Sequence, residues 1–141
     1  MMVSTKGRYA LRVMIDLAEH PSEQYIPLKE IAERQELSEK YLESIIKLLV
    51  QGELLHGVRG KHGGYRLCKK PEEYTVGEVL RLTEDIAPVA CLSSDKAPCE
   101  RAAECRTLPF WKGLDRVINE YLDSVTLADL MDDSGDCACK V

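Results

Sequence analysis

Two short amphipathic helices and a glycine-rich basic hairpin follow one another between residues 28 and 68, and that order leaves few folds open. Pro27 stands at the start of the first helix, 28–35, with Leu28, Ile31 and Ala32 spaced to face inward. Glu36 and Leu37 leave room only for a tight connection. Ser38 supplies a cap for a second helix over roughly 39–51, whose inner face is Leu42, Ile45, Ile46 and Leu49, and Gly52 stops it. Leu54–Val58 and Tyr65–Cys68 then read as two short strands around Arg59-Gly60-Lys61-His62-Gly63-Gly64. Two short helices joined by a tight turn have the helix-turn-helix shape, and the second is the one expected in a major groove. A basic hairpin directly behind it is a wing. The expected class is therefore mainly α: a winged helix-turn-helix with a small two-stranded wing.

The flanks complete the outline. Tyr9, Ala10, Val13, Met14, Leu17 and Ala18 make residues 5–19 an amphipathic helix, with Ser4 or Thr5 as cap and His20-Pro21-Ser22 as its end. Pro71 to Tyr74 reads as a linker. Thr75-Val76-Gly77-Glu78 is a capping box opening a further helix. Residues 87–106 show little periodicity, with two prolines and three cysteines. A long helix starts at Thr107 or Leu108 with Pro109 in its first turn. Its apolar stripe of Phe110, Trp111, Leu114, Val117, Ile118, Tyr121 and Leu122 exceeds what a small domain needs, which suits burial against a second copy. Thr126 to Met131 is a last short helix. The expected division is a DNA-binding domain over 1–74, a cysteine loop (87–106) with dimerisation helices over 75–131, and a flexible tail over 132–141. No internal repeat occurs.

The formal net charge of −5 at first disfavours nucleic acid, but residues 1–70 hold 12 basic and 9 acidic side chains against 7 and 15 in residues 71–141. From Leu54 to Lys70 there are Arg59, Lys61, Arg66, Lys69 and Lys70 and no acid. Such a strip is a local anion site on an acidic protein. Ser38, Lys40, Tyr41 and Ser44 lie early on the expected recognition helix, where side chains reach bases and phosphates. Glu43 among them repels phosphate but can accept from cytosine N4. Arg59 and Lys61 would meet phosphates or a minor groove, and glycine amides can do the same. Lys6, Gly60, His62, Gly63, Gly64 and Tyr65 complete the candidate DNA-binding set. A charged N-terminus with no long apolar run leads to the expectation of a cytoplasmic protein.

Cytoplasmic cysteines favour metal ligation or redox chemistry over a disulfide framework. Cys91, Cys99 and Cys105 follow a Cys-x7-Cys-x5-Cys spacing on one loop. Three thiolates there can converge on zinc, copper(I) or an iron–sulfur cluster, or can remain thiols that form a regulatory disulfide. Cys68 is expected as a small core residue. Cys137 and Cys139 stand as tail thiols that reach the loop only if the tail folds back or crosses from a partner subunit. No phosphate-binding glycine motif and no nucleophile with a histidine at a recognisable spacing is present, so an enzyme is not expected.

Ser4-Thr5-Lys6-Gly7-Arg8-Tyr9-Ala10-Leu11 resembles the opening of the Rrf-two family of winged-helix transcriptional regulators. Tyr41-Leu42-Glu43, Val58-Arg59-Gly60 leading to Gly63-Gly64-Tyr65, Thr75 to Val79, the three-cysteine loop and Ile118 to Leu130 are similar as well. The resemblance is greatest to the iron–sulfur-binding, IscR-like and NsrR-like group. It implies a homodimer that reads a palindromic operator, with Cys91, Cys99 and Cys105 holding a 2Fe–2S or 4Fe–4S cluster that alters operator affinity. Genes of iron–sulfur assembly, cysteine metabolism or redox stress would be under its control. In that group the fourth ligand is a histidine three residues after the third cysteine, or an acid on the partner's first helix. The matching positions here are Leu108 and Arg8, so an exogenous thiol, Asp95, Glu104, a tail cysteine or an open iron site stand as alternatives. The alternative reading is a cluster-free, CymR-like repressor controlled by thiol oxidation or by a partner enzyme.

Overall fold

The computed structural model describes residues 2–131; the expected tail, with Cys137 and Cys139, lies outside them. Helix α1 (Thr5–Glu19) opens on Ser4, whose hydroxyl accepts from the Gly7 amide. Helices α2 (Leu28–Gln35) and α3 (Glu39–Gln51) run as the periodicity predicts, α3 capped by Ser38 accepting from the Tyr41 amide at 3.2 Å. Between them Glu36 takes a left-handed φ of 55°, and the Leu37 amide closes on the Ala32 carbonyl at 3.0 Å. That closure sets the helix-turn-helix angle.

Strand β1 (Leu55–Val58) pairs antiparallel with β2 (Gly64–Leu67), Leu55 opposite Leu67 and Val58 opposite Gly64. Both strands differ by one residue from expectation, and Cys68 is exposed rather than in the core. The cause is Tyr74. Its ring is fully buried, and its hydroxyl takes the Cys68 amide at 2.8 Å, so the ladder ends at Leu67. The same hydroxyl accepts from the Lys69 amide at 3.2 Å and donates to the Leu54 carbonyl at 2.7 Å. Pro71–Glu73, expected as a linker, is a 3₁₀ turn that delivers Tyr74 into the core.

The wing is also bound to the helix-turn-helix. Ile26 and Tyr65 exchange both backbone hydrogen bonds, at 2.9 and 2.8 Å, immediately before α2. Gly64 permits this approach: its φ is +152°, and a Cβ there would overlap the Ile26 carbonyl and sit 2.8 Å from Pro27 N.

Helix α4 (Val76–Thr83) carries the expected Thr75–Glu78 capping box. After the irregular segment, α5 (Leu108–Ser124) and α6 (Leu127–Met131) follow. Met14, Ile31, Leu42, Ile45, Leu49, Tyr74, Val79 and Leu127 share one core, so α4 and α6 pack on the same interior as the first three helices. Val76, Leu80 and Ile86 form a second, smaller core under α5.

Among the described residues one charge is buried. Asp16 accepts from Arg34 at 2.7 and 3.0 Å and from the Gln35 amide group at 2.9 Å, tying α1 to α2. Burial alone would push its carboxyl up; the Arg34 and Gln35 hydrogen bonds and the Arg34 charge outweigh that and hold it below the usual carboxylate range.

Candidate nucleic-acid interface and cysteine loop

The first turns of α3 present Ser38, Lys40, Glu43 and Ser44 to solvent, with Tyr41 half-buried. Several of these side chains also serve the fold. The Ser38 hydroxyl is the helix cap, and Ser44 Oγ donates to the Tyr41 carbonyl at 2.6 Å. The Tyr41 ring meets Tyr9 edge-on at 6.0 Å, and the Arg12 guanidinium lies 4.9 Å over Tyr9. Lys6 sits half-buried in the first turn of α1.

The wing tip holds Arg59, Gly60, Lys61 and His62 exposed, with Gly63 half-buried and Gly64 buried. His62 takes a φ of 66°, and the Gly63 amide closes the turn on the Gly60 carbonyl at 2.9 Å. A groove of about 350 Å³ separates the wing from α3, with Glu43, Lys47, Gln51, Arg59 and Tyr65 among its lining. Lys47 was not anticipated. It lies on the face of Lys40 and Ser44, seven and three residues on, and that helical spacing was the signal for it. Among the described residues, Lys40, Lys47, Arg59 and Lys61 form no ion pair. Their charge is available to an external anion such as phosphate.

On the outer face of the wing, the Tyr25 hydroxyl and His56 Nδ1 are 2.7 Å apart, and Arg66 stacks 4.6 Å over the Tyr25 ring. Lys69 lies 4.9 Å over the Tyr74 ring and 3.3 Å from Glu78. These two members of the basic strip are therefore already partnered.

Cys91 and Cys99 are exposed free thiols, and Cys105 is half-buried. Cys91 lies in a 3₁₀ turn, Ala90–Leu92, and Cys105 follows another, Ala102–Glu104. Cys105 Sγ is 3.4 Å from the Thr107 hydroxyl, and that hydrogen bond, with the Thr107 amide, holds the thiol below its ordinary pKa. Among the described residues no three His, Cys, Asp or Glu side chains are grouped as a metal site. The donor set suits iron in kind: three soft thiols, one biased toward thiolate. Gathering all three around one group requires the irregular segment to rearrange.

Helix α5 leaves Phe110, Leu114, Val117 and Tyr121 exposed at 64%, 36%, 56% and 69%. They recur at four- and three-residue steps, so they form one apolar stripe. Among the described residues no helix is long and apolar enough to cross a membrane.

The family model of Rrf2, described as an iron-dependent transcriptional regulator, matches residues 3–133. The chain belongs to the Rrf2 family. Its relatives include Protein rrf2 of Nitratidesulfovibrio vulgaris, 39% identical over 145 residues, with 100% of this chain and 96% of that protein covered. The HTH-type transcriptional regulator CymR of Bacillus subtilis is 40% identical over 131 residues, covering 92% and 89%. Among solved structures, IscR of T. potens matches with a TM-score of 0.70 and 38% identity, covering 95% of this chain and 88% of that one. This Rrf2 protein is thus a winged-helix transcriptional regulator, similar to an IscR and to a CymR alike.

Proposed function

We propose that this Rrf2 protein binds a palindromic DNA operator as a homodimer and that an iron–sulfur cluster on Cys91, Cys99 and Cys105 sets its operator affinity. The observation that carries the reading is the placement of three thiols on one segment between the DNA-binding unit and the apolar stripe of α5. Lys40, Lys47, Arg59 and Lys61 supply phosphate contacts. Tyr41 and the Ser38 cap orient the first turn of α3, and Glu43 selects against some base sequences. Phe110, Leu114, Val117 and Tyr121 bury against the same stripe of a second copy, which places two reading units on one duplex. The cluster, when bound, supplies a redox- and iron-sensitive charge at the loop. A coupling of about 1–3 kcal/mol between loop and operator suffices for regulation.

The test is anaerobic reconstitution with iron and sulfide, followed by the visible spectrum and by iron and acid-labile sulfide counts. Visible absorption that disappears in Cys91→Ala supports the cluster. A colourless protein with neither iron nor sulfide removes it.

A second reading is favoured by the exposed Cys91 and Cys99 thiols, the lowered Cys105 thiol and the likeness to CymR. In it the loop is a thiol switch without metal, or a docking point for a partner enzyme. Operator affinity that changes with a thiol oxidant in iron-free protein identifies the switch.

A further inference from the structure

Two adjacent carboxylates at the end of α4 reach in opposite directions. Glu84 turns back onto the N-terminus of α1. Its two oxygens accept from the Ser4 amide at 2.8 and 2.9 Å, and the Ser4 hydroxyl donates to it as well. Ser4 is itself the cap of α1, accepting from the Gly7 amide at 3.2 Å. The fit is close: a Cβ on Gly7 would overlap the Glu84 carboxylate. Asp85 faces the cysteine loop. It accepts from the Ser93 hydroxyl and from the Ala87 amide, the latter at 3.0 Å. The Ser93 amide in turn closes on the Ala90 carbonyl at 3.1 Å and completes the 3₁₀ turn that contains Cys91. Ile86, next in sequence, is buried in the second core, against which Val3 also packs.

These contacts form an unbroken line from the Cys91 turn through Ser93, Asp85, Glu84 and Ser4 to the first turn of α1, where Lys6 sits. We propose that Glu84 and Asp85 are positioning residues that transmit the conformation of the Cys91 turn to the first turn of α1. The reasoning is local. Ser93 holds Asp85 only while the Cys91 turn keeps its shape. Glu84 and Asp85 are joined by one peptide unit, so a backbone shift at Asp85 is carried to Glu84. A carboxylate at a helix N-terminus stabilises it through the free amides and the helix dipole, and its withdrawal frays the first turn. The signalling part of this inference rests on the reading that the loop thiols are where the signal acts; the mechanical link does not.

The test is hydrogen–deuterium exchange by mass spectrometry on the full chain, reading residues 5–8, where the Gly7 and Arg8 amides are the ones hydrogen-bonded to Ser4. In thiol-reduced, metal-free protein, Glu84→Ala is expected to speed their exchange about five- to tenfold, the effect of losing a cap. Glu84→Gln, which keeps a carbonyl acceptor, should do so less. Ser93→Ala, remote from α1, should speed the same amides about two- to threefold, while the α3 core amides stay unchanged. That last condition separates a local release from general unfolding. Wild-type exchange at residues 5–8 in Ser93→Ala overturns the link whatever the loop binds. The second arm treats wild-type and Glu84→Ala proteins with iron plus sulfide, or with diamide. The expected result is a change at residues 5–8 in wild type that is lost in Glu84→Ala. A loop that responds while residues 5–8 do not refutes the transmission. A loop that responds to neither treatment refutes the sensor reading instead and leaves the Ser93→Ala result to decide the link.

Discussion

Tyr74→Phe removes one oxygen atom from the centre of the molecule and should loosen both strands at the base of the wing. The ring is fully buried, and phenylalanine fills nearly the same volume, so packing is kept. Three backbone groups lose their partner: the Leu54 carbonyl at 2.7 Å, the Cys68 amide at 2.8 Å and the Lys69 amide at 3.2 Å. Lys69 is exposed and its amide can turn to water. Leu54 is buried, and its carbonyl cannot. An orphaned buried group costs about 1–3 kcal/mol, and the partly covered Cys68 amide adds less. The expected loss is about 2–4 kcal/mol. In a chain of this size that is a fall in Tm of about 6–12 °C. Urea unfolding followed by circular dichroism should show a lower midpoint at an unchanged m value. A pH series adds a sign check. Burial holds the Tyr74 hydroxyl above the ordinary tyrosine pKa. The wild type should therefore lose stability as pH rises above about 10, and the variant should lack that part of the slope. A loss under about 1 kcal/mol would refute the assignment of Tyr74 as the anchor of the wing.

Three further outcomes follow from the geometry. Asp16 has a folded pKa below its unfolded one, so its contribution is present above the unfolded value and is lost as pH falls through the folded value; acid titration of wild type against Asp16→Asn should show the variant losing less stability below about pH 4. Glu36→Gly relieves a left-handed φ of 55° and should raise stability by about 0.5–1 kcal/mol in chemical denaturation, with α2 and α3 unchanged. Arg59→Ala and Lys61→Ala should each reduce the slope of log affinity against log salt by about one on a duplex selected from random sequence, weakening all sequences alike.

The helices were legible because their ends are written locally. Ser4, Pro27, Ser38 and the Thr75–Glu78 box sit where caps and helix starts must sit, and the apolar steps between them follow one face. The strand ends were not, since a hydroxyl from six residues beyond Cys68 decides where the ladder stops. The same contact moved Cys68 out of the interior and puts the last residue of an apparent linker, Tyr74, into the core. At the candidate interface, Arg59 and Lys61 were visible as a glycine-flanked basic tip. Lys47 stands one further turn along the same face of α3, beyond the first turns where a recognition helix is expected to meet bases. The cysteine spacing was readable, but how an irregular segment arranges its thiols depends on contacts that leave no periodic trace. Glu84 on Ser4, 80 residues away, is of that kind.

The two-way backbone pairing of Ile26 with Tyr65 makes wing and helix pair a single reading head. Such a head cannot open its own jaws to release a half-site without breaking ladder hydrogen bonds. In the proposed dimer, control of a paired operator would act on the spacing and tilt between two heads, alongside the first turn of α1. On that arithmetic, inserting or deleting one base pair between half-sites should change binding more than a substitution inside either of them.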